Sequence, residues 1–188
     1  YFFDGDSLVI KADSRDVKKE AFSVNMEVML PKKIYKKVNL NSSNGNIELG
    51  GLEFEEVYGK SANGSFWAYN LDARYLGART VNGGVNVEDS KIKQVKLESV
   101  NGSLELVNLE GEILSADTVN GKINFEDLKQ EDIQIKSVNG NIYIRGDLNS
   151  TRYLKVNSLN ASVNIDAKDL NRACKLYCKA NSHSLDRM

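Results

Sequence analysis

The chain has few of the residues that cross-link small domains or take part in common catalytic chemistry. Its 188 residues include one proline, two cysteines, one histidine and one tryptophan. Cys174 and Cys178 cannot form a disulfide framework. They would lie about 13 Å apart on a strand but adjacent on a helix, and their redox state stays open. His183 has no Cys, Asp or Glu cluster at metal-ligand spacing around it, so the sequence lacks the parts of a zinc site or a histidine-based triad.

Long apolar runs and an excess of charge are also missing. No stretch approaches the roughly 18 consecutive apolar residues of a membrane span, and no signal-peptide pattern opens the chain. The 25 basic and 26 acidic side chains give a net charge of −1, and they are interspersed, so no long-range field favours nucleic acid or anionic lipid. The composition therefore predicts a folded chain with no membrane insertion, no nucleic-acid partner and no cofactor.

The sequence does contain a regular repeat, marked by asparagines that are followed in all but the last case by glycine. Successive pairs are 19 residues apart, and the last asparagine follows a two-residue insertion. The repeated asparagines are Asn44, Asn63, Asn82, Asn101, Asn120, Asn139 and Asn160. After each pair apolar and polar residues alternate, as in Leu104, Glu105 and Leu106. A period of two predicts strands on both sides of every Asn-Gly corner.

Two architectures fit this alternation. Asn-Gly between apolar runs is a strong hairpin signal, which favours an antiparallel meander or β-sandwich, but Glu98 would then face Glu105 across the hairpin at a cost in stability. An unchanging period is what coil-on-coil stacking requires. We therefore predict an all-β fold, a parallel β-helix (β-solenoid) with 19-residue coils and terminal caps, for which right-handed winding is expected. The antiparallel sandwich is the alternative.

The Asn-Gly corner has a structural interpretation. Asparagine tolerates the left-handed conformation, and glycine has no Cβ, so both residues suit a corner with positive φ, for example at Gly102. Stacked amides can donate and accept along a ladder. A ligand-binding asparagine array is the alternative, but every coil must satisfy its own corner. The seven asparagines are therefore predicted to form a structural ladder.

The ends of the chain differ from its middle. Residues 1–42 contain strand-like runs without the repeat and include the only proline, Pro31. Repeat arrays need atypical terminal units that cover their cores. We predict one elongated domain, in which residues 1–42 form a β cap, residues 43–169 form seven coils, and residues 170–188 form a C-terminal cap or tail.

Four aromatic residues form the candidate binding patch. Trp67 and Tyr69 are predicted at outward positions in the second coil, and Tyr58 and Tyr75 are expected at outward positions nearby. Exposed aromatic rings stack on sugars or anchor protein partners. The same rings could equally be covered by the N-terminal cap.

The segments "VNMEVMLP" and "VNLNSSNGNIEL", followed by iterated "[ST]VNG" coils, resemble bacterial β-strand-repeat proteins labelled adhesins, a family of unknown function. The resemblance covers roughly residues 20–168. It implies an envelope-associated or surface-exposed β-helical domain, sometimes linked to envelope stress responses, and it supplies no catalytic motif. Since the chain begins with Tyr1, we expect a signal or anchor segment to lie outside it.

These observations together predict a function without catalysis. We expect an extracytoplasmic recognition or scaffolding domain of the bacterial envelope, with a glycan or a protein as partner. Two alternatives stay open: a polymerising cytoskeletal β-helix, which needs uncapped apolar ends, and a polysaccharide-active enzyme, which needs paired carboxylates. The sequence leaves the oligomeric state undefined.

Overall fold

A computed structural model describes residues 2–4, 7–10, 25–168 and 174–180. The chain divides into two compact units, Tyr1–Pro31 and Lys32–Met188. In the first unit, β1 (Phe2–Asp4) pairs in antiparallel orientation with β2 (Ser7–Val9). No helix in the described part of the chain is long and apolar enough to cross a membrane.

The second unit is a stack of parallel strands. Its described strands are β3 (Ile34–Ser42), β4 (Ile47–Gly50), β5 (Glu53–Ser61), β6 (Phe66–Tyr69), β7 (Asp72–Thr80), β8 (Val85–Ser99), β9 (Leu104–Thr118), β10 (Ile123–Ser137), β11 (Ile142–Gly146), β12 (Tyr153–Ser158), β13 (Val163–Ala167) and β14 (Lys175–Ala180). Every pairing among them is parallel, and most join residues 19 positions apart. The predicted β-solenoid of about seven turns is confirmed, and the antiparallel alternative is wrong. Its winding hand stays a prediction.

The strands form two main stacks, and a short third ladder of residues 90–91, 109–111 and 128–130 runs between them. The front stack contains β4, β6, residues 85–88, 104–107 and 123–126, β11 and β13. The back stack contains β3, β5, β7, residues 94–99, 113–118 and 132–137, β12 and β14. The insertion lies between β11 and β12, where Asp132 pairs with Tyr153 at an offset of 21. The stacking continues beyond it, because the two extra residues are absorbed in the connection.

The core follows the alternation that the sequence shows. Leu104 and Leu106 are fully buried, whereas Glu105 between them is exposed. On the back stack, Leu114 and Ala116 are also fully buried. Because parallel stacking places like positions above one another, a column that is apolar in every coil becomes a continuous core.

The predicted terminal caps are only partly covered by the described residues. Strand β3 stacks on β5 at the same 19-residue offset, and β14 stacks on β12. Residues 1, 5–6, 11–24, 169–173 and 181–188 lie outside the described part of the chain. The proposed caps at 1–42 and 170–188 therefore stay predictions.

The backbone of the Asn-Gly corners differs from the sequence prediction. Among the described residues, none of these pairs has a positive φ. That conformation occurs once in each of six coils, at the end of the front strand or directly after it. These residues are Gly51 (68°), Asn70 (51°), Asp89 (47°), Asn108 (51°), Asp127 (50°) and Gly146 (110°). Gly, Asn and Asp are the residues that tolerate this region best. The prediction of positive φ at the Asn-Gly corner is therefore wrong, since that conformation lies at the opposite end of the front strand.

Glycine is still required at the Asn-Gly corner, for a different reason. A Cβ on Gly102 would lie 1.8 Å from the carbonyl oxygen of Gly83 in the preceding coil. A Cβ on Gly121 would lie equally close to the carbonyl oxygen of Gly102. Successive corners approach so closely that only a residue without a side chain fits between them.

Candidate functional site

The repeated asparagines bind one another. Asn101 Nδ2 donates to Asn82 Oδ1 at 2.8 Å, and Asn120 Nδ2 donates to Asn101 Oδ1 at 2.8 Å. Equivalent bonds of 2.7 to 3.0 Å join Asn44 to Asn63, Asn63 to Asn82, Asn120 to Asn139 and Asn139 to Asn160. Because these amide groups are engaged along the stack, the ladder contributes to coil-to-coil cohesion.

A column of hydroxyl groups satisfies the inside of the same corners. Ser99 is buried, and its Oγ accepts a hydrogen bond from Gly102 N at 2.9 Å and another from Thr80 Oγ1 at 3.0 Å. The Gly140 N–H donates to Ser137 Oγ in the same way, at 2.9 Å. These hydroxyl groups replace hydrogen bonds that the backbone cannot make within the turn.

The described residues contain no group of three or more His, Cys, Asp or Glu side chains that could hold a metal ion. His183 lies outside those residues. Cys178 lies on β14 and Cys174 directly precedes it, and both thiols are free and partly buried. Burial raises the pKa of both thiols, which lowers the fraction of reactive thiolate.

The four aromatic residues of the candidate patch fall on two different stacks. Trp67 and Tyr69 lie on β6 in the front stack. Tyr58 lies on β5 and Tyr75 on β7, both in the back stack. The structure therefore forms two aromatic pairs, and each pair has its own surroundings.

The back pair is engaged within the protein. The rings of Tyr58 and Tyr75 have centroids 5.3 Å apart, and Lys37 Nζ lies 4.4 Å from the Tyr58 centroid. The Tyr58 hydroxyl donates to Glu56 Oε2 at 3.2 Å. Partial desolvation and the nearby Glu56 carboxylate raise the pKa of Tyr58. These contacts stabilise the outer surface of the back stack and hold both rings in place.

In the front pair, Tyr69 has partners, whereas Trp67 has none among the described residues. The Tyr69 ring lies over Gly50, where a Cβ would come within 2.2 Å of it. A hydrogen bond with Glu48 raises the pKa of the Tyr69 hydroxyl. Trp67 is 44% exposed and has no hydrogen-bond, ion-pair or ring partner within the described ranges. Its indole is therefore partly open to solvent and unpaired within that part of the chain.

Trp67 belongs to a straight row of outward side chains on the front stack, which we call the front row. In register from coil to coil, the row consists of Glu48, Trp67, Asn86, Glu105, Asn124, Tyr143 and Asn164. The side chains of Asn86, Glu105 and Asn124 have no partner among the residues that the structure describes. At the far end, Lys122 Nζ lies 4.6 Å from the centroid of the Tyr143 ring.

The repeat pattern already predicts that Trp67 and Tyr143 share one outward column, because they are four repeat lengths apart and equal positions in a solenoid lie on one line parallel to its axis. The predicted patch nevertheless omits Tyr143, and the register of the front stack adds it.

The front face, by which we mean the outer side chains of the front stack together with Lys122 beside Tyr143, is acidic. Its exposed charged side chains are Glu48, Glu88, Glu105, Glu126, Asp166, Lys122 and Arg145. Five acidic and two basic groups give this face a net charge of −3, more negative than the −1 of the whole chain. The face therefore disfavours anionic ligands.

One protein family matches almost the whole chain. Residues 5–184 match the family described as Toastrack DUF4097, a domain of unknown function. No curated protein and no solved structure matches the chain. With the match extending over all the coils, the chain belongs to the Toastrack DUF4097 family.

Proposed function

We propose that the protein is a non-enzymatic recognition domain of the bacterial cell envelope and that it binds through the front face around Trp67. One observation carries the proposal: an exposed indole, with no partner among the residues that the structure describes, lies on the outer surface of a stack of parallel strands. Aromatic rings offer a large contact area at low conformational cost. The extracytoplasmic location rests on the resemblance to adhesin-labelled proteins, and an envelope glycan or protein is the expected partner.

Catalysis by paired carboxylates is the less favoured function. Glu98 and Asp117 lie in register on adjacent coils of the back stack. Glu98 accepts a hydrogen bond from Lys96 at 2.8 Å, which lowers the pKa of Glu98, and Arg79 lies 3.6 Å away. A carboxylate held by two cations is a poor general base at neutral pH. Neither Glu98 nor Asp117 lines the clefts of about 330 and 370 Å³ on the second unit.

Tryptophan fluorescence tests the proposal directly, because Trp67 is the only tryptophan. Fractionated envelope material should shift its emission, and Trp67→Ala should weaken binding without lowering the melting temperature. Tyr75→Ala is the matched control, since it removes an aromatic ring from the back stack.

Three outcomes oppose the proposal. Binding that leaves the emission unchanged and survives Trp67→Ala would place the site elsewhere. Turnover of envelope glycan would favour the enzyme alternative, and filament formation by the isolated chain would favour the cytoskeletal one. Recovery of the natural protein only in the soluble cytoplasmic fraction of cells would contradict the envelope location.

A further inference from the structure

We propose that the front row binds a linear β-linked glycan without anionic groups, laid parallel to the solenoid axis from Trp67 to Tyr143. The inference rests on the proposed function, because it names the ligand class of the same face. The proposed ligand is a glycan chain, and the experiment below distinguishes it from a protein partner.

The first contact is stacking on Trp67. The indole is 44% exposed, and its neighbours in the row are the polar side chains of Glu48 and Asn86. The apolar face of a pyranose ring fits a single aromatic platform, with the sugar hydroxyls reaching polar groups around it. A protein hot spot would instead be expected within a larger apolar core. Tyr69 lies on the same face of β6, but the residues that flank Trp67 along the row are polar, which favours a sugar.

The next contacts are the unengaged polar groups of the row. Asn86, Glu105 and Asn124 follow Trp67 in successive coils, without internal partners within the described ranges. An amide both donates and accepts, and a carboxylate accepts, so the three groups complement hydroxyl and acetamido substituents. The corner ladder shows the opposite situation, since its amides bind one another.

The spacing of the row suits an extended chain of sugars. Parallel coils repeat at about 4.8 Å, and an extended β-(1→4)-linked glycan advances by nearly the same distance per sugar. Four coil steps place Tyr143 about 19 Å from Trp67. There, Lys122 adds a cationic donor 4.6 Å from the centre of the tyrosine ring. A chain of about five or six sugars is needed to reach both rings.

The charge of the face selects among glycans. With five acidic and two basic exposed groups, the front face repels uronic acids, sulfates and phosphates. A neutral or amine-bearing chain avoids that repulsion. Glu105, at the centre of the row, would face the middle of such a chain.

The test uses β-(1→4)-linked N-acetylglucosamine oligomers of two, four and six sugars, titrated into the full chain with Trp67 emission and calorimetry as readouts. The hexamer should bind about tenfold more tightly than the tetramer, equivalent to about 1.4 kcal/mol. A glycan of similar length with alternating uronic acids should bind at least about tenfold more weakly than the neutral hexamer.

Two variants separate the ends of the row. Trp67→Ala should weaken the binding of every oligomer, whereas Tyr143→Ala should reduce hexamer affinity to that of the tetramer and leave the dimer unaffected. Tyr75→Ala, on the back stack, is the control and should bind like the parent. Melting curves verify that all three variants are folded, and calorimetry replaces fluorescence where Trp67 is absent.

The outcomes distinguish this inference from the proposed function. If no oligomer binds but an envelope protein shifts the Trp67 emission, the glycan inference is overturned and the recognition function stands. If neither oligomers nor envelope fractions bind, both fail. Equal affinity for the uronic acid glycan and the neutral hexamer would overturn the charge argument. Full hexamer affinity in Tyr143→Ala would overturn the axial placement.

Discussion

Replacing Gly102 by alanine should destabilise the solenoid strongly, although the backbone there needs no positive φ. The added Cβ would lie 1.8 Å from Gly83 O and 2.3 Å from Gly83 C. Both are backbone atoms, so no flexible side chain can move aside. The two corners must separate, or the coil must distort, before the methyl group fits.

The magnitude follows from the bonds that join these corners. Asn101 N donates to Val81 O at 2.8 Å, and Asn101 Nδ2 donates to Asn82 Oδ1 at 2.8 Å. Val85 N donates to Ser103 O at 2.9 Å. At about 0.5–1.5 kcal/mol each, losing the three bonds costs about 1.5–4.5 kcal/mol. For a chain of this size, the melting temperature should fall by roughly 3–18 °C.

Gly51→Ala is the matched control. Gly51 has a φ of 68° but no atom within 4 Å of an added Cβ, so its cost is conformational and should be about 1 kcal/mol. Thermal and urea unfolding, followed by circular dichroism, compare the variants with the parent. If Gly102→Ala melts like the parent, or if Gly51→Ala is the more damaging substitution, close approach of the corners does not explain the repeated glycine.

Two further predictions concern burial and charge. Leu104→Ala should lower the free energy of unfolding by about 2–5 kcal/mol, whereas Glu105→Ala should change it by less than about 0.5 kcal/mol. Urea unfolding that finds Glu105→Ala the more damaging would contradict the inward and outward assignment. Burial raises the pKa of Asp117, so the charged carboxylate destabilises the folded state once the pH exceeds that pKa. Asp117→Asn should therefore raise the melting temperature at neutral pH but not in acid. Glu98→Gln should do the opposite at neutral pH, because the hydrogen bond from Lys96 lowers the pKa of Glu98 and stabilises the folded state above the usual carboxyl range; equal melting shifts in the two variants would refute this assignment.

Part of the candidate site could be predicted from the sequence. The outward positions of Trp67 and Tyr69 follow from their places in an alternating strand, and the structure bears out that exposure. The repeat already assigns Tyr58 and Tyr75 to the second strand of their coils, but whether that strand shares a face with the first depends on how the chain turns between them, which the sequence does not specify. Which ring stays unengaged depends on neighbours from other coils, such as Lys37 over Tyr58.

The sequence by itself determined the all-β class, the coil length and the stacking of like residues. A period of two specifies strands. A constant 19-residue offset specifies parallel register, because equal positions of successive coils then pair, as Leu104 does with Val85 on one side and Ile123 on the other. Only the tertiary structure decided the conformation of the corners. Both Asn-Gly and Asp89 are compatible with positive φ as isolated residues. Positive φ occurs at Asp89, whereas the Asn-Gly corner is turned by a buried hydroxyl and pressed against the backbone of the preceding coil, contacts that exist only once the coils are stacked.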